Sequence, residues 1–286
     1  MRIGVVILPQ YPARETSRRW KSLDDRGFAH GWTYDHLAWR TLADQDWHST
    51  IVTLAIAATA TERIGIGTWV ASPNFRHPVT FAKDLMSLDE LSGGRVNAGI
   101  GASGTNFDSV VMGQPPLGPK ERVDRLTEFA ELTDLLLRQR ETTWQGTYYT
   151  AEQARMNPAG SRERIRMILA GNGPRSIRLA AKYDGWATIG RGEEDYASWW
   201  ATIEELAGRF DRAVGDRAVP RYLCAENMPG NTFDSVEQVH DTAGRAAALG
   251  FTDLIIQWPR EEPPYQGDAG LLDRLADRLV MGDLRV

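Results

Sequence analysis

Between Glu62 and Gly104 the chain reads ERIGIGTWVASPNFRHPVTFAKDLMSLDELSGGRVNAGIGASG, and this stretch narrows the choice of fold more than any other. It begins with a β-branched and glycine-rich run at 64–70, which breaks at Ser72-Pro73-Asn74. A helical pattern follows, with Val79, Ala82, Leu85, Met86 and Leu91 on roughly one face. After the turn Ser92-Gly93-Gly94-Arg95 comes a second apolar run at 96–100, closed by Gly101-Ala102-Ser103-Gly104. Strand, helix, strand in adjacent parallel pairing requires a right-handed crossover. That crossover puts both strand ends on the same edge of the sheet, where α/β proteins bind ligands.

The rest of the chain repeats this alternation. Strands are predicted at 3–8, 31–36, 64–70, 96–100, 165–169, 184–189, 219–224 and 253–257. Helices are predicted at 15–26, 46–61, 79–91, 120–138, from 177, and at 198–214, 236–249 and 270–280. In the helix at 120–138, Leu126, Phe129, Ala130, Leu136 and Leu137 keep the helical period, and 143–149 reads as a small hairpin or an extended excursion. Eight strand–helix units favour a closed barrel over an open doubly wound sheet, and 286 residues suit the ~250 of such a fold. The expected class is α/β, a (β/α)8 TIM barrel with an insertion between strands four and five. Nothing in the sequence reads as a linker, so 1–286 is expected to be one domain.

Composition removes several functions. A formal charge of −5 without any basic run gives no support for nucleic-acid binding. The single cysteine, Cys224, rules out a disulfide framework or a Cys-rich metal site. His30, His48, His77 and His240 have no partner at metal-ligand spacing, so no metal site is expected. No apolar run approaches the ~20 residues of a membrane span. The N-terminus lacks a signal-peptide pattern, so a cytoplasmic protein is expected. Ten tryptophans fit a large aromatic-lined pocket or a subunit interface, as well as ordinary core packing.

In a barrel, the residues that end the strands line the ligand site. Strand two ends in Asp35-His36, strand three in Val70-Ala71-Ser72, strand four in Gly101-Ala102-Ser103 and strand five in Gly171-Asn172-Gly173. Small residues there let a flat ring approach the backbone. Gly171-Asn172-Gly173-Pro174-Arg175-Ser176 leads into a helix whose first N–H groups would face an anion, with Arg175 and Ser176 as added donors. The same run also serves as a plain strand-to-helix turn, and it lacks the G-x-G-x-x-G spacing of a dinucleotide fingerprint. His36 has the chemistry to carry a proton near neutrality, though a lone histidine also serves as a satisfied structural group. Trp39 and Trp69 are candidates for a pocket wall. No G-x-S-x-G elbow supports a hydrolase, and no lysine stands at a predicted strand end for Schiff-base chemistry.

The run L-D-E-L-S-G-G-R at 88–95, the strand that follows it, Gly99-Ile100-Gly101-Ala102, and G-N-G-P-R-S at 171–176 together resemble the luciferase-like flavin- or deazaflavin-dependent oxidoreductases, over nearly the whole chain. Tyr34-Asp35-His36 is similar to the strand-two end of the members that use the deazaflavin coenzyme F420. The resemblance implies that Asp35 and His36 lie near the cofactor ring, with His36 in acid/base work and Asp35 orienting the ring or His36. It implies cofactor contacts from Val70, Ala71, Ser72, Gly101, Ala102, Asn106, Gly171, Asn172, Gly173, Arg175 and Ser176, and a non-prolyl cis peptide near Trp69-Val70-Ala71. One departure stands out: sugar-phosphate dehydrogenases of the family carry a Glu shortly after the fourth-strand glycines, whereas no acid follows here until Asp108. The implied activity is hydride transfer between F420 C5 and a small-molecule substrate. The alternatives are an FMN-dependent monooxygenase supplied by a flavin reductase, and a non-catalytic flavin-binding protein. A homodimer is common in the family.

Overall fold

The structure is a computed structural model that describes residues 1–158, 165–230 and 235–281. Eight parallel strands close on themselves: β1 (Arg2–Val6), β2 (His30–Thr33), β3 (Gly65–Thr68), β4 (Val96–Gly101), β7 (Arg166–Ala170), β8 (Gly185–Thr188), β9 (Arg221–Cys224) and β10 (Asp253–Gln257). Around the ring the order is β1-β10-β9-β8-β7-β4-β3-β2, so β1 pairs with both β10 and β2. This is the (β/α)8 TIM barrel expected from the alternation. Helices α1 (Ala13–Asp25), α2 (Thr50–Ala60), α3 (Pro78–Ser92), α5 (Pro119–Arg138), α6 (Pro174–Ala180), α7 (Tyr196–Val214), α8 (Val236–Ala248) and α9 (Leu271–Met281) alternate with the strands.

The insertion between the fourth and fifth barrel strands holds a short helix, α4 (Phe107–Val111), and an antiparallel hairpin, β5 (Glu141–Gln145) and β6 (Thr150–Arg155). The hairpin expected at 143–149 is therefore longer, and that segment forms one strand's end and the turn. The Glu128 carboxylate on α5 accepts the backbone N–H groups of Thr147, Tyr148 and Tyr149, which fixes the turn against the barrel helix. α4 was not expected: one turn carrying four exposed or adjoining apolar residues has too little periodicity to read as a helix. The interval 105–164 runs partly outside the described residues, at 159–164.

Alternation along the strands divides the core in two. On β10, Leu254 and Ile256 face the outer layer under the helices, while Ile255 joins Val6, Trp32, Trp69, Ile168 and Tyr222 inside the barrel. The same period sets His30, Trp32 and Tyr34 in line from the N-terminal to the C-terminal end of the interior. Trp32 takes the space that Gly67 leaves open, since a Cβ at 67 would lie 2.6 Å from its ring. Arg95, from the S-G-G-R turn, ties the bottom of the barrel together. Its guanidinium donates to Ala58 O, Thr61 O and Ile64 O, satisfying carbonyls at the C-terminal end of α2 and beyond it.

Strand two ends at Thr33, three residues short of the expected 36. Tyr34-Asp35-His36 continues as irregular backbone across the rim. The peptide between Trp69 and Val70 is cis, in the segment where the resemblance put one. No described helix is long and apolar enough to cross a membrane.

Candidate active site

A cavity of about 480 Å³ lies at the C-terminal ends of the strands. Its wall is drawn from the segments after β2, β3, β4, β7 and β9, from β8, and from the start of α5. Apolar and small groups dominate: Trp39, Trp69 and Val70, with Gly101, Ala170 and Ala187. A volume of this size is typical of small-molecule and cofactor sites.

His36 is placed on that wall by bonds to both its backbone and its ring. Trp47 donates its indole N–H to His36 O at 2.8 Å. The ring nitrogen Nδ1 lies 2.7 Å from Asp108 Oδ2, and the other oxygen of Asp108 accepts the Leu37 N–H at 2.8 Å. Asp108 is fully buried on α4. A carboxylate only accepts, so the proton between the pair belongs to His36 Nδ1. In the neutral imidazole that leaves Nε2 as the acceptor, and it has no partner among the described residues. The Trp39 ring stacks near the imidazole, with centroids 4.5 Å apart and planes tilted by 32°.

Asp35 does not orient His36. It is fully buried behind the wall and takes a two-pronged ion pair from Arg76, with Nε at 3.0 Å and Nη2 at 2.6 Å. Arg76 draws the Asp35 side chain into this buried pair, while the His36 ring is held by Asp108. This corrects the part of the expectation that had Asp35 orient His36.

The other predicted residues divide in the same manner. Val70, Gly101, Ala102, Gly171, Asn172 and Ser176 line the cavity, as do Trp39 and Trp69. Ala71, Ser72, Asn106, Gly173 and Arg175 do not. Ala71 bridges to β4 through its backbone, and the Ser72 hydroxyl accepts the Asn74 N–H. Asn106 stands at the N-terminus of α4. Arg175 turns to α5, where it pairs with Asp124 and donates to Lys120 O. The Ser176 hydroxyl is spent on Gly173 O, and both ends of the Asn172 amide are engaged by Gly190 O and Thr188 Oγ1. The 171–176 turn thus supplies shape and backbone more than free side-chain donors.

A family model described as luciferase-like monooxygenase matches residues 1–256. The chain belongs to the luciferase-like monooxygenase family. Among curated relatives, the F420-dependent glucose-6-phosphate dehydrogenase of Beutenbergia cavernae is 32% identical over 198 residues, covering 68% of this chain and 58% of its own. The F420-dependent hydroxymycolic acid dehydrogenase of Mycobacterium tuberculosis is 30% identical over 224 residues, covering 76% and 61% respectively. This chain thus spans about three fifths of the length of these two relatives. Among solved structures, an F420-dependent secondary alcohol dehydrogenase in complex with an F420-acetone adduct aligns over 96% of this chain and 97% of its own. The TM-score is 0.78 at 17% identity, a likeness of fold.

Four charged groups of this luciferase-like site were not singled out from sequence: Asp108, Arg122, Arg40 and Glu226. Arg122 sits in the first turn of α5 and reaches Ser103 O at 3.3 Å. Arg40 lies over the Trp39 ring, 4.3 Å from its centroid. Asp108 was visible as the first acid after the fourth-strand glycines. Glu226 stands two residues past the seventh strand and would have been found by reading that strand's end as well. Arg40 and Arg122 carry no local signal.

The residues present fit a flat ring with an anionic extension. Glycine and alanine on one part of the wall leave room for a ring, aromatic side chains flank it, and Arg40 and Arg122 supply cations. The buried Trp39 indole N–H has no partner among the described residues.

Proposed function

We propose that this protein is an F420-dependent oxidoreductase that moves a hydride between the deazaflavin and a small organic substrate. The observation that carries the reading is the His36–Asp108 pair on the wall of a mostly apolar cavity, with His36 Nε2 left free. The F420-dependent names of the two curated relatives support it. Bound F420 supplies the hydride acceptor or donor; the protein positions it and handles the proton.

His36 Nε2 takes the hydroxyl proton of an alcohol as its carbon loses hydride, and returns it in the reverse direction. Asp108 keeps the imidazole in the tautomer this requires and stabilises the imidazolium that forms. Trp39, Trp69 and Val70 exclude water, while Gly101, Ala102, Gly171, Asn172 and Ser176 shape the ring's berth. Arg122 would meet the anionic part of the cofactor.

A titration of intrinsic tryptophan fluorescence with F420, and separately with oxidised and reduced FMN, tests the reading, since Trp39 and Trp69 line the cavity. Quenching by F420 at concentrations where FMN has no effect is the expected result. Preference for reduced FMN would replace the reading with a monooxygenase fed by a flavin reductase.

A further inference from the structure

Glu226 lies on the short 3-10 turn Ala225–Asn227, directly after β9, and forms part of the cavity wall. Its side chain is only 5% exposed, and it is the one acid among the described lining residues. The surroundings hold one of its two oxygens firmly. Tyr265 donates its hydroxyl to Oε1 at 3.0 Å, and Arg40 Nη1 stands 3.6 Å from the same oxygen. Behind Tyr265 the chain continues. The Tyr34 and Tyr265 hydroxyl oxygens are 3.0 Å apart, and Gln257 Nε2 donates to Tyr34 at 3.0 Å.

The direction of this row follows from its two ends. An amide N–H only donates and a carboxylate only accepts. The Tyr34 hydrogen is therefore given to Tyr265, and the Tyr265 hydrogen to Glu226. Burial pushes both phenols above their ordinary range, so both keep their protons. The row ends at buried Gln257 and does not reach solvent, so it is not a path for exporting a proton. It is a line of aligned dipoles that holds Oε1 in place.

Oε2 has no partner among the described residues. The Asn172, Thr188 and Ser176 side chains on the same wall are already engaged. His36 Nε2 and Glu226 Oε2 therefore remain as two strong acceptors facing one cavity. We propose that Glu226 is a specificity-determining residue whose Oε2 accepts a hydrogen bond from a second, non-reacting hydroxyl of the substrate while the reacting hydroxyl sits at His36. The substrate class is then a polyhydroxy compound in preference to a simple alcohol. The inference rests on the hydride-transfer reading above.

The test compares cyclohexanol with cis-1,2-cyclohexanediol, which differ by that second hydroxyl. Binding is read by tryptophan quenching with and without F420, and turnover as kcat/KM with F420 as acceptor. In the unaltered protein the diol is expected to be favoured by about 10- to 100-fold, the range for a hydrogen bond to a charged group. Glu226→Met, close in volume and unable to accept, is expected to bring the ratio near one. Glu226→Gln keeps an oxygen for Tyr265 and is expected to give an intermediate ratio, so that it also serves if the Met variant fails to fold. A ratio near one in the unaltered protein, or a ratio that both variants retain, overturns the proposal. F420 titration of the same samples separates the two readings. If F420 does not bind while diol preference in its absence still depends on Glu226, the residue's role stands and the hydride-transfer reading falls.

Discussion

The barrel carries a histidine–aspartate pair at each end, and the two are opposite in what they leave free. At the C-terminal end His36 gives one nitrogen to Asp108 and turns the other to a cavity. At the N-terminal end His30 Nε2 lies 2.8 Å from Asp253 Oδ1, while its Nδ1 accepts the Trp32 indole N–H at 2.5 Å. Asp253 is fully buried and also holds Arg2 and the Thr252 hydroxyl. His30 fills the space above Gly4, where a Cβ would fall 1.9 Å from Nδ1. Both of its nitrogens are spent, so it can join barrel strands and do little else. Distance to a carboxylate does not distinguish the two histidines; the engagement of the second nitrogen does.

That contrast can be broken most directly at the upper pair. His36→Ala is expected to lower turnover with F420 by about 10²–10⁴-fold, the usual worth of a positioned acid or base. F420 affinity and the denaturation midpoint should change little, and stopped-flow turnover with a parallel urea melt measures both. Normal turnover in the variant would remove His36 from the chemistry. The lower pair should respond in the reverse sense. Asp253→Ala leaves His30 and Arg2 without their acceptor and is expected to cost about 3 kcal/mol of stability. Turnover per folded molecule should persist, as read by urea melts and active-site titration.

The smallest effect sharpens the contrast through pH. Burial raises the Asp253 carboxyl, but the hydrogen bonds from His30, Arg2 and Thr252 outweigh it and hold the group below its ordinary value. A depressed carboxyl contributes stability above the unfolded-state value, about 3.9, and loses it as pH falls through the lower folded value. Urea midpoints should therefore fall on acidification below about pH 4. The decline should be shallower in Asp253→Asn, which has no proton to gain at that position.

Much of the barrel was legible because its signals are local. Periods of two and 3.6 residues, with turns between them, locate strands and helices without reference to distant contacts. His36 was legible for the same reason, since it follows a strand that points at the ligand edge. Its partner was not: Asp108 is 72 residues away, and no short-range pattern links the two. Asp35 was placed near the ring or His36 by the resemblance of Tyr34-Asp35-His36, but its partner is Arg76, 41 residues away, which no local pattern announces. Arg175 was read as an anion donor on the strength of the turn it follows. Its long side chain instead reaches Asp124 on a neighbouring helix, a choice set by tertiary packing.

The acid that orients His36 is borne by α4, a five-residue helix outside the barrel whose Val110 and Val111 face solvent. The barrel's own pairing and the carboxylate that positions His36 therefore reside in different parts of the chain. The barrel strands can stay constant while changes in length or composition across 102–118 shift, weaken or remove the carboxylate behind the imidazole. A designer who wants to retune the proton transfer proposed for His36 has a segment to edit that carries none of the barrel's hydrogen-bond ladder beyond β4.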